Sequence, residues 1–231
     1  MAGKFGDPNC TVVARARACF NREVEERAKR IVVAAIELAE KGGFEGVRLR
    51  DVAAHADVAL GTLYRRFRSK EDLLLAALEL QMASLEQRFA DEPLTGGEPL
   101  DRVHEFFRLT TEGMCARPHL ARALVRAVVA GGPDLSHRVA AFHHRMEAMI
   151  ARALRGRGGT EPPDELERRV GQALVQVWFA SLTGWASGLH GVEAIVADTR
   201  SAADLILGES ACLARPAFDR DSGLPPQREH V

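Results

Sequence analysis

The sequence lacks any continuous apolar run that approaches the roughly 20 residues needed for a membrane-spanning helix. Its first residues also lack the apolar core of a secretory signal. These absences exclude membrane-spanning classes and lead us to expect a soluble protein of the cytoplasm. Aromatic residues are scarce at 6%, but hydrophobic residues together make up 46%, which is enough to bury a core.

Patterns typical of catalytic and metal sites are also missing. The four cysteines, Cys10, Cys19, Cys115 and Cys212, stand far apart without a Cys-x-x-Cys pair, which indicates free reduced thiols. The sequence has no His-Glu-x-x-His motif, no Gly-x-Ser-x-Gly elbow, no phosphate loop ending in Lys and no dinucleotide fingerprint. We therefore expect no metal site, no cofactor and no enzymatic activity.

Long alternating runs of β-branched residues are absent, whereas Ala, Leu, Val, Glu and Arg are abundant. This composition favours helix, and it predicts an all-α protein. A first helix is predicted from a cap near Asn21 to Gly42-Gly43, and a long one from Ser69 to about Ala90. Five further helices are expected up to about residue 207. The predicted divisions are a mobile basic arm at 1–20, a DNA-binding domain at 21–68, a helical domain at 69–208 and a disordered tail at 209–231.

The segment from Arg48 to Asp72 has the pattern of a helix-turn-helix. The apolar residues of its first half recur at steps of three and four: Leu49, Val52, Ala53 and Ala56. Asp57 follows at a position suited to a tight turn, because Asp tolerates the left-handed conformation. A second short helix is predicted from Ala59 to Phe67, with Leu63 and Phe67 on its buried side. The second helix of such a pair can enter the major groove of DNA.

The charge of this segment supports an interaction with phosphate. Between Gly46 and Lys70 there are six basic and two acidic residues, a balance of plus four, whereas the whole chain carries minus one. A basic patch on a near-neutral protein is the electrostatic footprint of a nucleic-acid-binding face. Charge alone leaves open the alternative of an ordinary solvated helix pair.

Val58 to Leu73 resembles the signature of the tetracycline-repressor (TetR) family. The shared residues are Gly61-Thr62-Leu63-Tyr64, Phe67 and Ser69-Lys70-Glu71. The resemblance implies a homodimeric, ligand-responsive transcriptional regulator, usually a repressor, that binds double-stranded operator DNA. It also implies that Thr62, Tyr64 and Lys70 contact phosphates while the start of the second helix faces base edges. With the charged residues of the segment, the expected DNA-binding residues are Arg48, Arg50, Ala59, Leu60, Gly61, Thr62, Tyr64, Arg65, Arg66 and Lys70.

Three positions depart from the family pattern. Asp57 stands where the family often has Gly in the turn, and Ala59 where it often has Ser or Thr at the start of the recognition helix. Arg48 replaces the usual Thr cap of the preceding helix. Each departure affects one cap or one phosphate contact, and none removes the expected architecture: a three-helix DNA-binding domain followed by a helical ligand-binding and dimerisation domain.

The second half of the chain carries large apolar residues on successive predicted helices. Convergent aromatics and methionines can line a cavity for a small hydrophobic effector. The expected ligand-binding residues are Met82, Phe89, Phe106, Phe107, Met114, Phe142, Met146, Trp178 and Trp185. For any one of these residues, filling the core is an alternative, so the prediction attaches to the group.

The stretch from Val177 to Trp185 is similar to the matching helix of the sterol-catabolism repressor (KstR-like) branch of the family. The residues around Gly61-Thr62-Leu63-Tyr64-Arg65 and the stretch Leu205-Ile206-Leu207-Gly208 resemble that branch too. This resemblance implies an effector that is a steroid or a steroid-like acyl-coenzyme A thioester.

The last two long helices interleave small residues with Leu, Val and Trp. Small residues permit close approach of helices, so we expect a homodimer formed through these two helices. A dimer would set two recognition helices roughly 34–36 Å apart and predicts a near-palindromic operator. Two other functions stay open from the sequence: a hydrophobic-ligand carrier with a vestigial helix-turn-helix, and a small α-helical enzyme.

Overall fold

A computed structural model describes the backbone of residues 8–156 and 162–213 and the side chains of residues 25–156 and 162–208. Every regular element in these ranges is a helix, which confirms the predicted all-α class. The bounds are α1 (Pro8–Gly46), α2 (Leu49–His55), α3 (Leu60–Arg66), α4 (Lys70–Asp91), α5 (Pro99–Cys115), α6 (Pro118–Ala130), a 3-10 turn (Pro133–Leu135), α7 (Ser136–Arg155), α8 (Glu165–Ala186) and α9 (Val192–Leu213). Among these helices, none is long and apolar enough to span a bilayer.

Helices α1 to α3 form the predicted three-helix unit. Gly43 adopts φ 60° and ψ −154°, which interrupts α1 where the Gly42-Gly43 stop was predicted. The side chains of Val47, Val52 and Leu63 are fully buried, so apolar faces hold the unit together. Asp57 has φ 51°, in the left-handed region between α2 and α3, which confirms its predicted place in the turn.

Two predicted helix boundaries are wrong. Helix α1 begins at Pro8, so position 21 lies inside the helix and not at its cap. Helix α9 runs to Leu213, past the end predicted near residue 207. Residues 1–7 of the predicted arm and 214–231 of the predicted tail lie outside the described residues.

Helix α4 starts as predicted and links the three-helix unit to the rest of the chain. The Ser69 hydroxyl accepts a hydrogen bond of 3.1 Å from the Asp72 backbone N–H, which satisfies one N–H of the first turn. The buried Asp72 carboxylate in turn accepts from the Arg68 backbone N–H at 3.0 Å and lies 3.1 Å from the Arg138 Nε of α7. One carboxylate therefore links the segment between α3 and α4, the start of α4 and α7.

Further ion pairs continue along the seam between α4 and α7. Arg138 lies 2.7 Å from Glu79, and Arg145 donates two hydrogen bonds to Glu86 at 2.6 and 2.7 Å. The hydrogen bond from Arg145 lowers the pKa of the Glu86 carboxyl, so this pair stays charged at neutral pH. The seam holds α4 as one rigid element against the bundle.

Arg102 ties the start of α5 to the end of α7. Its Nε donates to the Ala153 carbonyl and its Nη2 to the Leu154 carbonyl, both at 2.7 Å, while Nη1 donates to the Gly97 carbonyl at 2.7 Å. The first two bonds satisfy carbonyls at the C-terminus of α7 that have no partner within the helix. The buried guanidinium thus closes one end of the bundle.

Cys115 is the cysteine whose side chain the structure describes, and it is a free thiol. Burial raises the pKa of this thiol to about 11, so it stays protonated at neutral pH. The side chains of Cys10, Cys19 and Cys212 lie outside the described residues.

Candidate nucleic-acid interface and apolar cavity

Helix α3 has one buried and one exposed side. Leu63 and the adjoining Phe67 are 0% and 2% exposed and anchor the helix in the core. On the outer side, Ala59 and Gly61 are exposed, and Tyr64 is 52% exposed. A helix held through one side and open on the other is able to enter a major groove.

Gly61 occupies open space on this outer side. A Cβ atom built at Gly61 would meet no other heavy atom within 4 Å, apart from its immediate chain surroundings. Its φ is not positive, so the backbone does not require glycine either. Neither packing nor conformation within the described structure explains this glycine, which makes close approach by an external molecule the physical reason that fits.

The arginines of the helix-turn-helix segment are exposed. Arg48, Arg50 and Arg66 are exposed, and within the described part of the chain they form no ion pair. Arg65 is also exposed, and its Nη2 donates to the Thr62 hydroxyl at 3.1 Å. Four of the five basic residues that the sequence predicted to meet DNA are therefore exposed.

Lys70 is placed differently from these arginines. Its Nζ donates to the Phe44 carbonyl at 3.1 Å, lies 4.4 Å from the centre of the Phe44 ring and 3.7 Å from the Glu45 carboxylate. The ammonium thus holds the start of α4 against the end of α1. The phosphate contact implied for Lys70 stays a prediction.

The two departures at helix starts have visible consequences. Arg48 and Ala59 occupy the N-cap positions of α2 and α3, and neither makes a side-chain cap hydrogen bond. Leu60, the first residue of α3, is half-buried beneath the exposed side. These two short helices are held by burial and not by side-chain caps.

A cavity of about 200 Å³ lies between α4, α5, α6, α7 and α8. Of the residues predicted to bind a ligand, five line it: Met82, Met114, Phe142, Met146 and Trp178. Its other lining residues are Leu78, Gln81, Ser84, Leu85, Arg88, Thr110, Gly113, Arg117, Leu120, Ala121 and Leu124. The wall is mainly apolar, and Arg88 and Arg117 are its exposed basic residues.

The other four predicted ligand-binding residues lie away from this cavity. Phe106 is 1% exposed, and its ring centre lies 5.1 Å from those of both Phe89 and Phe107. Trp185 is buried with the Arg122 guanidinium 5.0 Å from its ring centre. These rings fill the core, which was the alternative reading for each of them.

Helix α6 forms a wall of the cavity and also holds α1. Arg117 precedes α6 and pairs through Nη1 with Glu40 of α1 at 2.8 Å. At the other end of α6, Arg126 pairs with Glu45 at 2.8 Å and covers the Phe44 ring at 4.1 Å. The helix that borders the cavity is thus fastened at both ends to the three-helix unit.

Comparison with known proteins identifies the family. Residues 31–77 match the pattern of bacterial regulatory proteins of the tetR family, and residues 96–206 match the tetracyclin repressor-like C-terminal domain. The chain is 33% identical over 187 residues to the HTH-type transcriptional repressor KstR of Rhodococcus jostii (strain RHA1), covering 81% of this chain and 85% of the relative. The chain belongs to the TetR family of bacterial regulatory proteins.

Other TetR-family matches agree with this assignment. KstR of Mycobacterium tuberculosis is 32% identical over 160 residues, covering 69% of this chain and 71% of that protein, so the KstR-like resemblance is confirmed. A TetR transcriptional regulator from Rhodococcus sp. RHA1 superimposes with a TM-score of 0.72 at 29% identity, over 80% of this chain and 97% of that one. FadR of Thermus thermophilus shares the fold, with a TM-score of 0.53 at 23% identity over 87% and 100%.

Membership of the TetR family makes this chain a helix-turn-helix transcriptional regulator, as predicted. The sequence reasoning did not find the polar residues of the cavity, chiefly Thr110, Arg88 and Arg117. A signal for Thr110 was available, because it lies four residues from both Phe106 and Met114 and so shares their helical face. No comparable pattern marks Arg88 or Arg117, whose positions depend on how the helices pack.

Proposed function

We propose that this TetR-family protein is a homodimeric repressor that binds a near-palindromic operator and releases it when a hydrophobic effector fills the cavity. The observation that carries the proposal is the outer side of α3, where Gly61, Tyr64 and Arg65 stand exposed opposite the buried Leu63. A basic, exposed helix anchored through its other side has the chemistry and the freedom to meet a duplex.

The cavity supports an effector with an apolar body. Met82, Phe142 and Trp178 provide apolar and aromatic wall, and Arg88 and Arg117 are basic residues on its exposed part. Such a site suits a steroid or an acyl-coenzyme A thioester, whose apolar part would be buried and whose anionic part would stay near the arginines. The T. thermophilus FadR, which shares the fold, was solved in complex with lauroyl-CoA.

Dimerisation through α8 and α9 fits the surface of these helices. On α8 the small residues Ala173 and Ala180 are exposed, and on α9 the apolar Leu205 is 64% exposed. Small and apolar residues on adjoining exposed helices suit close packing against a second copy. The dimer would present two copies of α3 to one side of the DNA.

The experiment that tests the proposal is an electrophoretic mobility shift with DNA from upstream of the protein's own coding region. We expect a specific shift that lauroyl-CoA or a steroid acyl-CoA reverses. We also propose that the protein is located in the cytoplasm, together with this DNA. A protein that binds the acyl-CoA but no DNA would be a ligand carrier and would contradict the repressor function.

Tyr64→Phe should weaken DNA binding about 5-fold, roughly 1 kcal/mol, because it removes one hydroxyl hydrogen bond to a phosphate. The side chain is 52% exposed, so the fold should not change. Fluorescence anisotropy would measure the affinity for the operator and for unrelated DNA of the same length. Equal losses on both are expected, since phosphates carry no sequence information. An unchanged affinity, or a loss confined to the operator, would contradict the phosphate contact.

Glu40→Gln should reduce the coupling between effector and operator by about 2- to 5-fold, because it breaks an ion pair of a kind worth up to about 1 kcal/mol. Glu40 belongs to α1, and its partner Arg117 lines the cavity. Coupling is measured as the ratio of the lauroyl-CoA affinities of free and DNA-bound protein.

Glu37→Gln is the matched control for this measurement. Glu37 is also on α1 and exposed, but its partner is His55 of α2, so the pair stays within the three-helix unit. We expect Glu37→Gln to leave the coupling ratio unchanged. Equal effects of the two variants, or no effect of Glu40→Gln, would show that the link from α6 to α1 does not transmit the signal.

A further inference from the structure

Thr110 is a buried polar residue in the wall of the cavity. It lies on α5 and is 5% exposed, and its Oγ1 has no hydrogen-bond partner. Buried polar side chains nearly always have a partner, because an unpaired one loses its hydration without compensation. An unpaired hydroxyl at the surface of a cavity therefore indicates that a polar group of a ligand forms the missing hydrogen bond.

The other helical threonines whose side chains the structure describes form hydrogen bonds within the protein. Thr183 and Thr199 donate to the carbonyls four residues earlier, at 2.8 and 2.7 Å. Thr111, the neighbour of Thr110, accepts from the Trp178 indole N–H at 2.9 Å. The α-helical backbone also places a carbonyl four residues before Thr110, where its hydroxyl could donate. The lack of a partner for the Thr110 hydroxyl is therefore specific to this site and not general for threonine in helices.

Thr110 differs from the other polar groups that line the cavity. The N–H of Trp178, another buried residue of the wall, already donates to Thr111. The cavity is also lined by Gln81, Ser84, Arg88 and Arg117, but none of them is buried. Among the described lining residues, Thr110 therefore has the only buried side-chain polar atom without a hydrogen-bond partner.

We propose that the cavity takes an apolar ligand with one uncharged oxygen, a hydroxyl or a carbonyl, on its buried part, and that Thr110 Oγ1 hydrogen-bonds this oxygen. A hydroxyl side chain can donate to a carbonyl and can either donate to or accept from a hydroxyl. No buried cation lines the cavity to compensate a carboxylate there, so a charged group belongs near Arg88 and Arg117. This inference rests on the proposed function, in which the cavity is the effector site.

The test uses two probes that differ by one oxygen: 1-naphthol and naphthalene. An apolar cavity of roughly 150 Å³ admits benzene, so a cavity of about 200 Å³ that opens to the surface is of a size for a two-ring molecule. Titration calorimetry on the full chain would give the preference for naphthol over naphthalene. We expect a preference of about 5-fold in the natural sequence, the size of one neutral hydrogen bond.

Thr110→Val keeps the shape of the side chain and removes its hydroxyl, so the preference should fall to about one. Thr110→Ser should retain it, and Thr199→Val, which removes a buried hydroxyl outside the cavity, should leave it unchanged. Because the readout is a ratio of two affinities within each variant, a general loss of stability does not imitate the result.

An unchanged preference in Thr110→Val, or no preference in the natural sequence, would overturn the inference. Failure of both probes to bind up to their solubility limits would also overturn it, because the cavity would then not be a binding site. Loss of the preference in Thr110→Val together with no operator binding would uphold the ligand contact and reject the repressor function.

Discussion

Gly61→Ala is expected to weaken operator binding about 30-fold, roughly 2 kcal/mol, without loss of stability. The reason is geometric: beyond its own turn of helix, a Cβ at this position meets no heavy atom within 4 Å in the described structure, but it would protrude from the side of α3 that we assign to DNA. Within a helix, Ala is more stable than Gly by roughly 0.5–1 kcal/mol, so the free energy of unfolding should stay the same or rise. Fluorescence anisotropy and urea unfolding would measure the two quantities.

Gly42→Ala is the matched control. Gly42 is also an exposed residue in a helix, and a Cβ built there also meets no atom within 4 Å. It lies near the end of α1. A Cβ built at the adjacent Gly43 would lie 3.9 Å from the His119 carbonyl oxygen of α6. We expect Gly42→Ala to preserve operator affinity. If Gly61→Ala binds the operator as well as the natural sequence does, α3 does not approach DNA through this side.

The helix-turn-helix could be predicted from sequence because its signals are local. The spacing of apolar residues placed α2 and α3 within a residue or two of their observed bounds, and the turn at Asp57 followed from a single conformational preference. The Ser69 cap of α4 is likewise a bond between residues three apart, and the structure contains it. Interactions between residues that are close in the sequence can be predicted before the fold is known.

The start of α1 could not be placed in the same way. Asn21 followed by acidic residues is a legitimate cap signal, yet the helix begins at Pro8 and continues through that position. Asn inside a helix costs only a few tenths of a kcal/mol up to about 0.7, which neighbours of high helix propensity can offset. The preceding residues include several alanines and arginines, which favour helix. A cap signal permits a helix to start but does not oblige it to.

The lining of the cavity depended on packing and was only half predictable. Helical spacing separates the buried from the exposed face of α5, and it correctly groups Phe106, Thr110 and Met114 on one side. It does not show that Phe106 meets other rings while Met114 borders a void. That distinction arises from how α4, α6, α7 and α8 pack against α5. The residue pattern of a single helix carries no information about this packing. Searching for large apolar residues also passed over Thr110, the one polar residue on that face with an unpaired buried oxygen.

Trp178→Ala should lower the free energy of unfolding by about 3–5 kcal/mol, the usual cost of removing a buried ring. The Trp178 side chain is 1% exposed, its ring centre lies 6.3 Å from that of Phe107, and its indole N–H donates to Thr111. For a chain of this size each kcal/mol shifts Tm by about 2–4 °C, so a fall of about 10 °C is expected by circular dichroism. Because Trp178 also lines the cavity, effector binding should weaken in the same variant.

The contribution of the Trp178 hydrogen bond can be separated from that of the ring. Trp178→Phe keeps much of the apolar volume but leaves the fully buried Thr111 hydroxyl without its donor, and we expect a loss of roughly 1–3 kcal/mol. Adding Thr111→Val should recover part of this loss, because removing both partners of a buried hydrogen bond costs less than removing one. If the double variant is no more stable than Trp178→Phe, the unpaired hydroxyl is not the source of the cost, and the shape of the indole is. Equal destabilisation by Trp178→Phe and Trp178→Ala would instead mean that the hydrogen bond, not the buried ring, holds α8 to α5.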